Sequence, residues 1–123
     1  MTCRGIRGAI TVDENSTDAI KSATRELLEH IVAANALDAS DIVSVIFTAT
    51  PDLDAVYPAV VAREMGWVHV PLLCMQEMVI KGSLPRCIRV LLHWNTDRAP
   101  EDIQYAYLRE AQKLRPDLVN HDS

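Results

Sequence analysis

The chain has 123 residues, 49% of them apolar and 24% charged, with a formal net charge of −5. One domain is expected over 1–123, because a chain of this length buries about two-thirds of its surface without a metal or disulfide staple. The acidic balance excludes a general nucleic-acid or anionic-membrane binder, which needs a basic footprint, and no apolar run is long enough to span a bilayer.

In chain order, a first strand is expected from Cys3 to Val12. Asn15-Ser16-Thr17-Asp18 then supplies a helix N-cap and an acidic first turn. Ile20, Ala23, Leu27, Ile31 and Ala34 follow at helical spacing, with Asn35 as the stop. Ile42 to Thr50 reads as a second strand with Val43, Val45, Phe47 and Ala49 on its apolar side and Ser44, Thr48 and Thr50 on the other. A short helix is expected from Pro58 to Met65, with Pro58 at its first position. Val68 to Met75 reads as a third strand, Gly82 as a turn, and Arg86 to Trp94 as a fourth strand. Thr96 to Pro100 opens a last helix carrying Ile103, Ala106, Tyr107, Ala111 and Leu114 as its stripe, ended by Pro116.

The order β-α-β-α-β-β-α describes an α+β fold, with helices on one face of a mixed sheet. In the fourth strand Ile88, Val90, Leu92 and Trp94 make one ordinary core face, while Cys87, Arg89, Leu91 and His93 share the other. That second face is too apolar for open water and too polar for a core, so a closed homo-oligomer is expected to cover part of it. If strands three and four pair antiparallel across their turn, Glu77 and Arg89 become neighbours.

Two arginines, Arg7 and Arg89, fall inside strands. A guanidinium is always charged and grips carboxylates with a rigid fork of donors, and a sheet holds it still. The pair therefore suggests a site for a small ligand with more than one carboxylate. Glu77, at the end of Cys74-Met75-Gln76-Glu77-Met78, is either part of that site or a solvated strand-end acid. Cys74 could act as a nucleophile only beside a base such as His69 or His93, and lone Cys and His in apolar strands are usually packed residues. Three cysteines, Cys3, Cys74 and Cys87, without C-x-x-C spacing argue against a disulfide framework or zinc site. With no signal peptide or membrane-spanning run in the sequence, a reducing cytoplasm is the expected location. Arg63 and Arg115 read equally well as solvated or helix-end charges, and Tyr107 as a core residue with its hydroxyl at the edge.

Six segments, in order, resemble one family. They are Arg4-Gly5-Ile6-Arg7-Gly8-Ala9, Thr48-Ala49-Thr50-Pro51-Asp52-Leu53, Tyr57-Pro58-Ala59, Cys74-Met75-Gln76-Glu77-Met78, Cys87-Ile88-Arg89-Val90 and Leu114-Arg115-Pro116-Asp117-Leu118. Together they resemble the small monofunctional chorismate mutases of the AroH class, collinear from about residue 2 to 118. The resemblance implies a homotrimer built as a pseudo-α/β barrel with active sites between subunits. It also implies the rearrangement of chorismate, a dianion, to prephenate without a cofactor or metal. By resemblance Arg7, Cys74, Glu77, Arg89 and Tyr107 fall at catalytic positions, with Met75 and Gln76 also on the substrate-binding segment. Tyr57, Leu73 and Leu114 then fall on the wall of the site, and Arg63 and Arg115 near its mouth. Val60 stands where part of the family has lysine, and Met65-Gly66-Trp67 is a residue shorter than in some members. The competing readings are a catalytically inactive trimer that only binds a carboxylate metabolite, and an imine-deaminase-like enzyme, which would not require Glu77 beside Arg89.

Overall fold

The structure, a computed structural model, describes residues 1–114. A five-stranded sheet organises them in the order β3-β2-β4-β1-β5, where β1 is Thr2–Thr11, β2 Ile42–Ala49, β3 Leu72–Gln76, β4 Cys87–Thr96 and β5 Ala106–Leu108. β4 is antiparallel to both β1 and β2, whereas β3 is parallel to β2 and β5 parallel to β1, so the sheet is mixed. Helix α1 spans Thr17–Asn35 and α2 Ala59–Glu64.

α1 begins where its sequence says it should. The Ser16 hydroxyl accepts the Ala19 amide at 3.1 Å, Asp18 sits in the first turn, and Ala36 closes the helix in the left-handed region at φ 49°. Ile20, Leu27, Leu28 and Ile31 are fully buried. They pack with α2 residues Val61 and Ala62 against Ile6, Ile10, Phe47, Ile88 and Leu92 of the sheet, so helices and main core occupy one face. Gly8 permits this approach. A Cβ there would lie 3.1 Å from Leu27, from Ile31 and from the Ala106 carbonyl oxygen, so glycine lets both α1 and β5 close onto β1.

Several sequence expectations need correction. Ala34 is exposed rather than part of the α1 stripe, and Val43 is also exposed. Pro58 caps α2 from outside instead of occupying its first turn. The third strand starts at Leu72, not Val68. Pro71 has no N–H for a ladder rung, yet its carbonyl accepts the Val45 amide at 3.0 Å and so opens the strand. β3 and β4 do not pair, because β2 lies between them. The β2-α2-β3 segment forms a parallel crossover, which places β3 at the sheet edge.

The largest correction concerns the last helix. Residues Pro100–Asp102 form one 3-10 turn, Ala106–Leu108 form β5, and Arg109–Leu114 form a second 3-10 turn. The apolar spacing fits a helix, but the backbone of this segment is already engaged. Buried Asn35 donates to the Gln104 carbonyl at 3.0 Å and accepts the Gln104 amide at 2.9 Å, holding the chain extended as it enters the ladder with β1. Pro116, expected to end that helix, lies outside the described residues.

Candidate functional site

The second sheet face carries the charged groups. Residues directly opposite one another across a pleated sheet share a face. One row across the sheet is therefore Met75, Thr48, Arg89, Ala9 and Tyr107, drawn from β3, β2, β4, β1 and β5. The next row is Leu73, Ile46, Leu91 and Arg7. Arg7 and Arg89 thus stand on adjacent strands of the same face, and both are exposed.

Arg89 has an acidic partner on this face. Glu77 reaches back from beyond the end of β3, where its amide donates to the Ala49 carbonyl at 2.8 Å. Its Oε2 lies 3.4 Å from Arg89 Nε. The sequence expectation of neighbouring Glu77 and Arg89 therefore describes the geometry, although β2, not a direct β3–β4 pairing, brings them together. The same Oε2 accepts the Thr48 hydroxyl at 2.6 Å. On the same face, Ala9, Cys87 and Ala111 form a small buried cluster, with Leu84, Tyr107 and Leu114 packed against it. Burial pushes the Cys87 thiol up from the ordinary thiol value; the Arg89 charge beside it pulls the other way, and Glu77 adds to the rise.

The start of β4 is also anchored. The Cys87 amide donates to the Thr50 hydroxyl at 3.0 Å, while the Thr50 amide donates to the Cys87 carbonyl at 3.0 Å. The Asp52 carboxylate accepts the Arg86 amide at 3.0 and 3.2 Å, with Arg86 in the left-handed region at φ 46°. On the other side of the face, the Arg7 guanidinium lies 5.6 Å from the centre of the Tyr105 ring, a cation–π distance.

The remaining candidates lie elsewhere. Cys74 is opposite Phe47, so it points to the helix-bearing side of β3. Burial raises its thiol pKa, opposed by an Ala59 backbone hydrogen bond and the Arg63 charge, so it is a neutral thiol at neutral pH. Cys74, Met75, Gln76 and Tyr57 line an open hollow of about 560 Å3, together with Ala49, Thr50, Pro51 and the chain from Leu53 to Pro58. Arg63 is exposed on α2. Leu114 joins the small cluster near Tyr107, and Arg115 lies outside the described residues. Among the described residues, no three His, Cys, Asp or Glu side chains gather to hold a metal ion, and no helix is long and apolar enough to cross a membrane.

The structure thus brings Arg7, Glu77, Arg89 and Tyr107 onto one face and sets Tyr57, Cys74 and Gln76 in a separate hollow, with Met75 bordering both. Sequence reading missed Thr48 and Tyr105. The polar side of the second strand pointed to Thr48, but its partner depended on strand order.

Known proteins resemble this chain over nearly its whole length. The family described as chorismate mutase type I matches residues 3–118. The chain is 52% identical over 116 residues to a chorismate mutase AroH of Thermus thermophilus, covering 94% of this chain and 95% of that protein. It is 45% identical over 119 residues to the AroH of Bacillus subtilis strain 168, covering 96% and 94%. A solved chorismate mutase from Clostridium thermocellum superposes with a TM-score of 0.88 at 47% identity, covering 89% of this chain and 98% of that one. With the arginine-bearing sheet face, its acid and the collinear motifs all in place, the chain belongs to the type I, AroH-class chorismate mutases.

Proposed function

We propose that this protein is a chorismate mutase acting in aromatic amino acid biosynthesis, converting chorismate to prephenate by an intramolecular [3,3] rearrangement. The observation that carries the reading is the Arg89–Glu77 pair on the same sheet face as Arg7, in a chain of this family. The reaction moves electrons around a six-atom ring and needs no nucleophile. What the protein must supply is a folded conformer of a flexible dianion and stabilisation of the charge that develops as the ether C–O bond breaks.

Arg89 takes the second role, donating toward the ether oxygen from a position set by its strand and by Glu77. Arg7 and Tyr107 grip a carboxylate and hold the reactive fold of the side chain. Glu77 accepts from the ring hydroxyl while orienting Arg89, with Cys74 assisting. Because its thiol is neutral, Cys74 would act as a hydrogen-bond donor and not as a thiolate. Leu73, Met75, Gln76, Tyr57 and Leu114 form the wall, and Arg63 and Arg115 draw the dianion in.

The residues divide between an open sheet face and an open hollow, and both are bordered by exposed apolar side chains. Leu73, Met75, Met78, Val79 and Ile80, close together in the chain, are each 47 to 74% exposed, which water alone does not favour. A homotrimer, in which one copy's hollow meets the next copy's sheet face, accounts for both facts and places the active sites between subunits. A cytoplasmic location follows from the free cysteines and the biosynthetic role.

The test is loss of chorismate absorbance with prephenate assayed as product. Saturable prephenate formation above the uncatalysed rate is expected. Tight chorismate binding without turnover would establish the inactive binding module, and hydrolysis of an imine substrate instead would establish the deaminase-like reading.

A further inference from the structure

Thr48 occupies an unusual place for a strand threonine. It sits in β2 directly opposite Arg89 of β4 on one side and Met75 of β3 on the other, so its backbone is locked by ladders on both flanks. Its hydroxyl donates to Glu77 Oε2 at 2.6 Å, the same oxygen that lies 3.4 Å from Arg89 Nε. Glu77 itself is beyond the end of β3, tied to the sheet by one backbone hydrogen bond to Ala49. A glutamate there has three rotatable side-chain bonds, whereas the β-branched threonine has one, restricted at χ1. The rigid partner is Thr48, and the mobile one is the acid.

We propose that Thr48 is a positioning residue for the rearrangement: its hydroxyl fixes the Glu77 carboxylate, and the carboxylate in turn aims the Arg89 guanidinium. The inference rests on the mutase reading of the site and adds a residue to it. Thr48 does not touch the substrate in this account. Its effect passes through one carboxylate oxygen, which accepts the Thr48 hydroxyl and pairs electrostatically with Arg89. Losing the hydroxyl leaves Oε2 free to swing toward the arginine or toward the substrate hydroxyl, so the pre-set geometry is lost while the charges remain. A hydrogen bond to a charged group contributes about 1.5–3 kcal/mol, which at about 1.36 kcal/mol per tenfold corresponds to roughly 10- to 160-fold in rate.

The test is steady-state chorismate kinetics on Thr48→Val, Thr48→Ser, Glu77→Ala and the Thr48→Val/Glu77→Ala double variant. Thr48→Val keeps the shape and should lower kcat by about 10- to 160-fold with a much smaller change in KM. Thr48→Ser should restore most of the rate. In the Glu77→Ala background Thr48→Val should cost nothing more, because its route runs through the missing acid. An unchanged kcat in Thr48→Val, or a full further loss in the double variant, overturns the proposal. A parallel readout is independent of turnover: the Arg89 Nε–H resonance, assigned by its absence in Arg89→Lys, should move or broaden in Thr48→Val and not in Thr48→Ser. If the unmodified protein fails to convert chorismate, the mutase reading falls, and this resonance alone decides the positioning claim. An unmoved signal rejects it. Should valine not be accommodated, Thr48→Ala gives the same comparison.

Discussion

Arg89 stands on the central strand of the sheet, with a carboxylate oxygen 3.4 Å from its Nε and the buried Cys87 thiol nearby. On the proposed mechanism its value lies in the direction of its donors and not only in its charge. Arg89→Lys keeps the charge and loses the fork, so kcat should fall by about 10²- to 10³-fold, as when one preorganised donor is removed. Steady-state kinetics decide this, and a near-normal kcat would contradict the assigned geometry. Cys87 makes a second claim at this scale. The folded state holds its thiol proton more tightly than the unfolded chain does. Its contribution to stability is therefore full below the ordinary thiol value and is lost as pH rises through that value toward the folded one. Melting curves across the alkaline range should fall more steeply for the unmodified protein than for Cys87→Ala, and parallel curves would refute the linkage. The two arginines were legible because a guanidinium within a period-2 apolar pattern is an outlier. Thr48 and Tyr105 were not, since threonine in a strand and tyrosine beside one are ordinary, and only the fold reveals what they face.

At the scale of elements, β1 and the chain from Gln104 to Leu108 depend on each other. Gly8→Ala places a methyl 3.1 Å from a backbone oxygen and from two buried side chains, one of which can shift more readily than the carbonyl. Overpacking of this kind costs about 1–3 kcal/mol, read as a lowered denaturation midpoint with an unchanged slope. Asn35→Ala should cost a similar amount, about 1–3 kcal/mol, because it strips partners from the Gln104 amide and carbonyl. Insensitivity of both variants would mean that β5 is not held as described. These contacts also explain which elements were legible. α1 carries its cap, its stripe and its stop within its own sequence. β5 carries a helix-like stripe, and its true conformation is decided by a side chain 69 positions away, which local periodicity does not report. Strand order failed for the same reason: adjacency in sequence suggested β3 against β4, while the α2 crossover inserted β2 between them.

At the scale of the whole molecule, the mixed polar and apolar face of the fourth strand is what raises the expectation of an interface. The row from Leu73 through Ile46 and Leu91 to Arg7 shows the same mixture extended across the sheet. The proposed homotrimer should scatter light as about three times the 13.7 kDa chain mass, and a sharp monomer peak would remove it. The central claim is that a fixed guanidinium on this sheet accelerates a pericyclic rearrangement. Its most direct test is the rate of prephenate formation by the unmodified protein and by folded Arg89→Ala, each against the uncatalysed background. The account predicts saturable acceleration by the first and a loss of at least about 10² in kcat for the second. Equal rates in the two proteins would show that catalysis, if present, does not run through Arg89.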